Sequence, residues 1–437
     1  MPLLIILLGI GLLVLFTLKK VSPFLSLLIV GMLVGLLLGL PVPAVLEAVK
    51  KGVGDTLGDV AFIIALGAIL GKMLEKGGAI QRISDTLISS FGAKNIQWAI
   101  VLTGFLVGIP LYYNAGFVIL VPLIFSITIN SGLPLFYVAI PMAASLSTTH
   151  AFLPPHPGPA YLVGQFHADM GKTLIYGIIL AIPLVIIAGP LLGRLLQRIK
   201  VDVRNNKLFT GAEDKNQHRP PVLASFVIAL LPVILITIKV IADSIGMPDG
   251  IGKDIVTFAG DATVALLLAV LCAAYFFGIR PGRKMDEVMK WLGEAISSVA
   301  LIILIIGAGG VFKQVLIESG TGKYITQLSE KLQMSPLIFG WMVAAMLRLA
   351  LGSATVAGIA AAGIVLPLVG NGVSPELMVL SVGAGSIFFS HVNDTGFWIF
   401  KEFFNLTLKQ TFLTWSLMET VISVLGLLGV LLLSNFV

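Results

Sequence analysis

The 437 residues are 57% hydrophobic and only 11% charged, and the mean hydropathy is +1.03. A soluble domain carries about 25% charged residues, so this deficit places the chain in lipid. The net charge of +6 does not mark a nucleic-acid binder, because the basic residues are scattered at span ends without interleaved aromatics. Cys272 is the single cysteine, which excludes an internal disulfide and a cysteine-based metal site.

The first run, MPLLIILLGIGLLVLFTLKK, has no basic residues ahead of its apolar stretch and no small-residue cleavage site. It is expected to be a retained span and not a removable signal, starting outside the cell with Lys19 and Lys20 inside. Apolar segments follow near 21–40, 55–75, 96–130, 134–165, 174–193, 220–243, 255–279, 295–317, 336–370, 376–400 and 411–433. Many reach or approach the ~20 residues that cross a bilayer. The long hydrophilic break near 194–219 carries Arg194, Arg198, Lys200, Arg204, Lys207, Lys215 and Arg219. It predicts two halves, 1–197 and 220–437, joined by a cytoplasmic linker at 198–219.

The halves match in order. LEAVKKGVGD (46–55) resembles DEVMKWLGE (286–294), each read as an amphipathic connector before a span, and ALGAILGKML (65–74) resembles IIGAGGVFKQVL (305–316). AGFVILVPLI (115–124) pairs with AGIAAAGIVLPLV (357–369). Last come two helices interrupted by polar and helix-ending residues, HAFLPPHPGP (150–159) and SHVNDTGFW (390–398). The basic loops 194–219 and 280–290 are expected inside, which puts residues 401–409 inside and both termini outside. Five spans then separate equivalent points, an odd number, so the repeats should be inverted. Lys50, Lys51 and Lys323 fall outside on this count.

Segments 96–130 and 336–370 are each about 35 residues, roughly 50 Å as helix and too long for a single span across a ~30 Å core. Each has a polar, glycine-bearing centre, PLYYNAG (110–116) and LGSATVAG (351–358). Either two short helices meet at a re-entrant tip, or two complete spans share a short loop. The expected fold is an all-α polytopic membrane protein with about ten full spans. Its two inverted-topology repeats contain re-entrant helical hairpins (96–130, 336–370) and interrupted transmembrane helices (134–165, 376–400).

Matched interruptions point to a transport site at the membrane midplane, because hydrocarbon tolerates freed backbone groups only where protein or a water-filled cavity shelters them. The first break supplies Ser147, Thr148, Thr149, His150 and His156; the second supplies Ser390, His391, Asn393, Asp394 and Thr395. The tips add Tyr112, Tyr113 and Asn114 on one side and Gly352, Ser353 and Thr355 on the other. Hydroxyls, amides and helix N-termini suit a small polyhydroxylated anion. Arg348, one turn before the second tip, is expected to hold a substrate carboxylate, or else to pair internally with Asp394 or Glu419. His150, His391, Asp394 and Glu419 are the candidates for proton coupling, with His156 beside them; each histidine reads equally as a helix-end hydrogen-bonder. Glu419 lies mid-span, where a carboxylate is costly unless protonated or paired. Asp55, Asp59, Asp261, Glu294 and Lys313 lie nearer span ends, where interfacial solvation suffices.

Other chemistry finds no support. His150 and His156 lack a third ligand at metal spacing, so no metal site is expected. No phosphate-binding GxxxxGK[ST] loop is present. An intramembrane serine hydrolase built on Ser353 or Ser390 stands only as a remote alternative.

At these residues the chain resembles the gluconate permease family, the gluconate:proton symporters. The resemblance covers essentially the whole length and rests on LGAILGKM (66–73), HAFLPPHPGP, ADMGKT (168–173), IIGAGGVFKQVL, GSATVAG (352–358) and SHVNDTGFW. It implies proton-coupled uptake of gluconate or a related sugar acid across the cytoplasmic (inner) membrane of a bacterium, with H⁺ as coupling ion and no cofactor. It further implies kinship to the ion transporter superfamily, whose members are typically homodimers in which a substrate-binding domain moves like an elevator against a scaffold. Many relatives carry an acidic residue where this chain has Asn114. The family also includes transporters of fructuronate, idonate and D-serine. A sodium-coupled carboxylate or D-amino-acid transporter is the alternative within the same class.

Overall fold

Without water to satisfy them, backbone groups in hydrocarbon must bond within their own segment, so the apolar runs fold as helices. In the computed structural model every regular element described is helical. The structure describes residues 2–92, 95–111, 113–201, 220–321, 333–370 and 372–437, with isolated positions 324, 327 and 331. Tyr112, Lys323 and residues 202–219 of the expected linker lie outside the described residues.

The first half comprises α1 (Pro2–Leu18), α2 (Pro23–Leu37), α3 (Val42–Lys76), α4 (Ala79–Phe91), α5 (Ile96–Gly108), α6 (Tyr113–Ser131), α7 (Leu135–Phe152), α8 (Pro157–Phe166) and α9 (Met170–Leu196). The second comprises α10 (Val222–Ser244), α11 (Ile251–Ala259), α12 (Ala262–Ile279), α13 (Met285–Glu318), α14 (Pro336–Leu351), α15 (Ala354–Val365), α16 (Pro375–Ser386), α17 (Thr395–Phe403) and α18 (Leu408–Leu433). Proline opens many of these helices: Pro23, Pro157, Pro336 and Pro375 sit in first turns, where the missing N–H loses no intrahelical bond.

Among the described residues six elements are long and apolar enough to cross a bilayer: the α7–α8 run, α9, α10, α12, α13 and α18. A seventh is α3, whose parts Val42–Gly58 and Val60–Lys76 meet at 44°. Hydropathy alone suggests about ten. The difference lies in α1, α2 and the second interrupted helix, whose pieces fall short individually. The 17 and 15 residues of α1 and α2 reach about 26 and 23 Å. Residues 46–55 and 286–294, read from sequence as amphipathic connectors leading into spans, lie in the opening parts of α3 and α13; in α3 the 44° bend sets Val42–Gly58 off from Val60–Lys76, whereas α13 runs on as one helix. The amphipathic α4 has no counterpart among the expected segments, and the segment expected at 255–279 is divided, its start lying in α11 and the rest in α12.

The long helices α3 and α13 pack against each other, with α2 on α13 and α1 on α2. Gly52 and Gly310 make the α3–α13 approach possible. A Cβ on Gly52 would lie 2.5 Å from the Gly310 carbonyl oxygen, and one on Gly310 would lie 2.2 Å from that of Gly52. Small residues let helix backbones approach closely where lipid supplies no hydrophobic drive for association.

Both long ambiguous segments are helical hairpins whose first arm is short, while α6, the second arm of the first, runs 19 residues or about 28 Å. The first divides between α5 and α6 after Gly108, and the second between α14 and α15 at Gly352–Ser353. The 13 residues of α5 and 16 of α14 span about 20 and 24 Å, less than a ~30 Å core. The interruptions fall at 153–156 between α7 and α8, and at 387–394 between α16 and α17. In each half the first hairpin arm lies along the first arm of the interrupted helix: α5 on α7, and α14 on α16. The halves also interdigitate, since α8 of the first packs on α15 and α16 of the second.

Candidate functional site

Arg348 occupies the last turn of α14 and is 3% exposed. Its Nη2 donates to Asp394 Oδ2, so the internal pair weighed from sequence is present. Asp394 lies at the end of the second break and caps α17, accepting from the Gly396 amide at 2.9 Å and from the Ser390 hydroxyl. Trp415 of α18 donates Nε1–H to Ser390 Oγ at 2.7 Å, and Ser416 donates to the Ser390 carbonyl. Against the Trp415 ring lies Tyr113, which opens α6, with centroids 5.1 Å apart. The second break, the second hairpin and the start of α6 thus converge on one buried cluster.

Arg348 is only partly used by this arrangement. Its Nε and Nη1 are buried without an acceptor. Tyr113 OH, Thr148 Oγ1 and His150 Nδ1 are likewise buried and unpartnered. Leaving a buried polar atom unsatisfied costs about 1–3 kcal/mol, more when charged, so several in one region need a reason.

Beside this cluster Ser147 donates its hydroxyl to Glu419 Oε1 at 2.6 Å, joining α7 to α18. Thr149 returns its hydroxyl to the Leu146 carbonyl at 2.9 Å. In the first break His156 Nε2 meets the Gly108 carbonyl at 2.6 Å, fastening the break to the end of α5. His150 and His156 face edge to ring, centroids 5.3 Å apart.

A crevice of about 10 Å³ separates the start of α8 from the start of α15, lined among others by His150, Gly158, Thr355 and Ser386. That volume is at the threshold for a single water. Two helix N-termini converge there, and their partial positive charge favours an anion. As it stands the crevice is too small for a sugar acid.

Several expected residues are used differently. His391 Nε2 meets the Leu349 carbonyl at 3.1 Å, and the Asn393 amide donates to the same oxygen at 2.8 Å. Both therefore cover the carbonyl end of α14. Ser353 caps α15, accepting from the Val356 amide at 3.4 Å. Asn114 is exposed on the first turn of α6, outside the buried cluster. Sequence reasoning missed Trp415, Ser416 and Ser386. A signal existed for the first: Trp415 and Glu419 are four apart and share a helix face. Trp415→Phe keeps the ring against Tyr113 but removes the donor to Ser390, and should lower stability by about 1 kcal/mol, read as a fall in melting temperature.

Buried, half-paired charge held by helix breaks and hairpin tips inside a bundle of apolar spans is the pattern of a multi-pass helical membrane transporter. The GntP family permease model matches residues 1–437, so the chain belongs to the GntP permease family. It is 50% identical to the high-affinity gluconate transporter of Escherichia coli K12 over 99% of both chains. Identity is 46% to the Gnt-II system L-idonate transporter of the same organism (99% of this chain, 98% of the relative), and 43% to the gluconate permease of Bacillus subtilis 168 (99% of both). In fold it is similar to the crystal structure of the Alcanivorax borkumensis YdaH transporter, described as having an unusual topology. The TM-score is 0.68 at 17% identity, covering 97% of this chain and 98% of that one.

Proposed function

We propose that this permease imports gluconate or a related small hydroxylated monocarboxylate across the bacterial cytoplasmic membrane, in symport with protons. The observation that carries the reading is Arg348, buried and ion-paired on one nitrogen while Nε and Nη1 lack acceptors. In this reading the substrate carboxylate takes those donors. Tyr113, Thr148, His150, Thr355 and Ser386 meet its hydroxyls as the crevice opens. Relatives named for gluconate and L-idonate support the substrate class.

A thermal-shift panel of aldonates, uronates and D-amino acids tests the substrate. Gluconate or a close aldonate should raise the melting temperature most, and a response confined to D-amino acids would refute the proposal. Coupling is tested by uptake in sodium-free buffer with and without a collapsible pH gradient; uptake that requires sodium would favour the alternative ion.

The matched order of elements in the two halves supports an inverted-repeat arrangement with both termini outside. In the accompanying mechanism a homodimer moves hairpins and interrupted helices, elevator-like, against the opening spans of each half. Crosslinking the hairpin tips to α1 or α2 should stop transport; full activity in the locked protein would exclude such movement.

A further inference from the structure

We infer that Glu419 carries the transported proton and that Ser147 is the positioning residue through which its state reaches the first interrupted helix; the inference rests on the proton-symport reading above. Apart from His156 and the phenols of Tyr113 and Tyr161, the ionisable side chains buried among the described residues are Arg348 and Glu419. Arg348 has Asp394. Asp394 in turn accepts from Arg348, Ser390 and the Gly396 amide, and caps α17. Its negative charge is held from three sides, and a proton there would disturb all of them. Glu419 is 2% exposed, accepts one hydroxyl from Ser147, and has no basic group within ion-pair distance among the described residues. The Arg348 cation and the Asp394 anion both act on Glu419 through space with opposite signs, and neither locks its charge state by direct contact.

Position supports the same assignment. Trp415, Glu419 and Ser423 lie four apart on one face of α18. Trp415 reaches Ser390 of the second break, Glu419 reaches Ser147 of α7, and Ser423 accepts from Trp341 Nε1 of α14 at 3.0 Å. One helix face therefore touches the first interrupted helix, the second break and the second hairpin. Neighbouring elements offer Glu419 few other charges. The only ionisable side chain of α14 is Arg348, and α16 has only Glu376, at its start. His150 and Tyr137 lie on α7, Tyr113 on α6, His391 and Asp394 in the second break, and residues 177–193 of α9 contain none. The step balances simply: a proton from outside converts the carboxylate to a neutral acid, and its release inside restores the carboxylate. With a monoanionic sugar acid, one proton per substrate makes the cycle electroneutral.

Full-length protein in proteoliposomes, with labelled gluconate, gives the test. Glu419→Gln, fixed in the neutral form, should lose pH-gradient-driven accumulation while gluconate–gluconate exchange persists and becomes independent of pH. Ser147→Ala should still accumulate gluconate but with a shifted pH profile. Accumulation by Glu419→Gln on an imposed pH gradient would overturn the inference, as would loss of exchange along with accumulation in a protein that melts normally. Should Glu419→Gln fail to insert, an unshifted pH profile in Ser147→Ala would overturn it. A wild-type protein that never moves gluconate on a pH gradient removes the symport reading and this inference together, an outcome separate from the variant results.

Discussion

Arg348→Gln is expected to abolish sugar-acid uptake and to destabilise the folded protein. Nη2 holds Asp394 while Nε and Nη1 are buried without an acceptor, and in the proposed function these two donors take the substrate carboxylate. Two charge-assisted hydrogen bonds of ~1.5–3 kcal/mol each amount to about 3–6 kcal/mol, or 100-fold and more in affinity. Removing the arginine also leaves Asp394 without its cation, and breaking one side of a buried pair typically costs about 3–5 kcal/mol. The two effects separate experimentally. Arg348→Gln with Asp394→Asn should recover much of the melting temperature but none of the binding. Arg348→Lys should keep the ion pair and the fold yet bind poorly, because a compact ammonium cannot serve Asp394 and a substrate carboxylate from separate nitrogens. Unchanged gluconate affinity in Arg348→Lys would remove Arg348 from the binding site.

Gly352→Ala is the second large effect expected. Gly352 ends α14 with φ +74°, a left-handed conformation that costs an L-residue about 1–2 kcal/mol. A Cβ there would also lie 2.2 Å from the Asn393 carbonyl oxygen. That oxygen is backbone in the second break, so relief requires the tip and the break to part. Arg348 sits one turn before the tip and its partner Asp394 follows Asn393 directly, so parting them disrupts the ion pair. Uptake should fall to background, with a melting temperature well below that of wild type. Near-normal uptake by Gly352→Ala would show that the tip–break contact is not needed for transport.

The tip–break contact and the narrow crevice describe one state. With space for about a single water between α8 and α15, a ligand must shift the protein toward an opened arrangement in which it binds better. The breaks and tips suit that movement, because their backbone bonds run to side chains and not along a continuous helical ladder. His391 and Asn393 hold the second tip through the Leu349 carbonyl, and His156 holds the first break through the Gly108 carbonyl. Each contact can be exchanged without unfolding a span.

Much of this protein is local and was therefore readable along the chain. Apolar run length fixes helices in lipid, proline and glycine fix where they start and stop, and breaks at 153–156 and 387–394 follow from PPHP and from the SHVND run. The class of protein follows from the same residues. Partner choice was not readable. Arg348 had two candidate carboxylates, and packing selected Asp394, 46 residues away; Glu419 instead met Ser147, 272 residues away. Asn114, His391 and Asn393 looked like site residues by type and neighbourhood, yet one is exposed and the others cover carbonyls of α14. Hydropathy and turn chemistry act over a few residues and are written in order along the sequence. Which charge meets which hydroxyl depends on helix rotation and crossing, and those are settled only when distant helices pack.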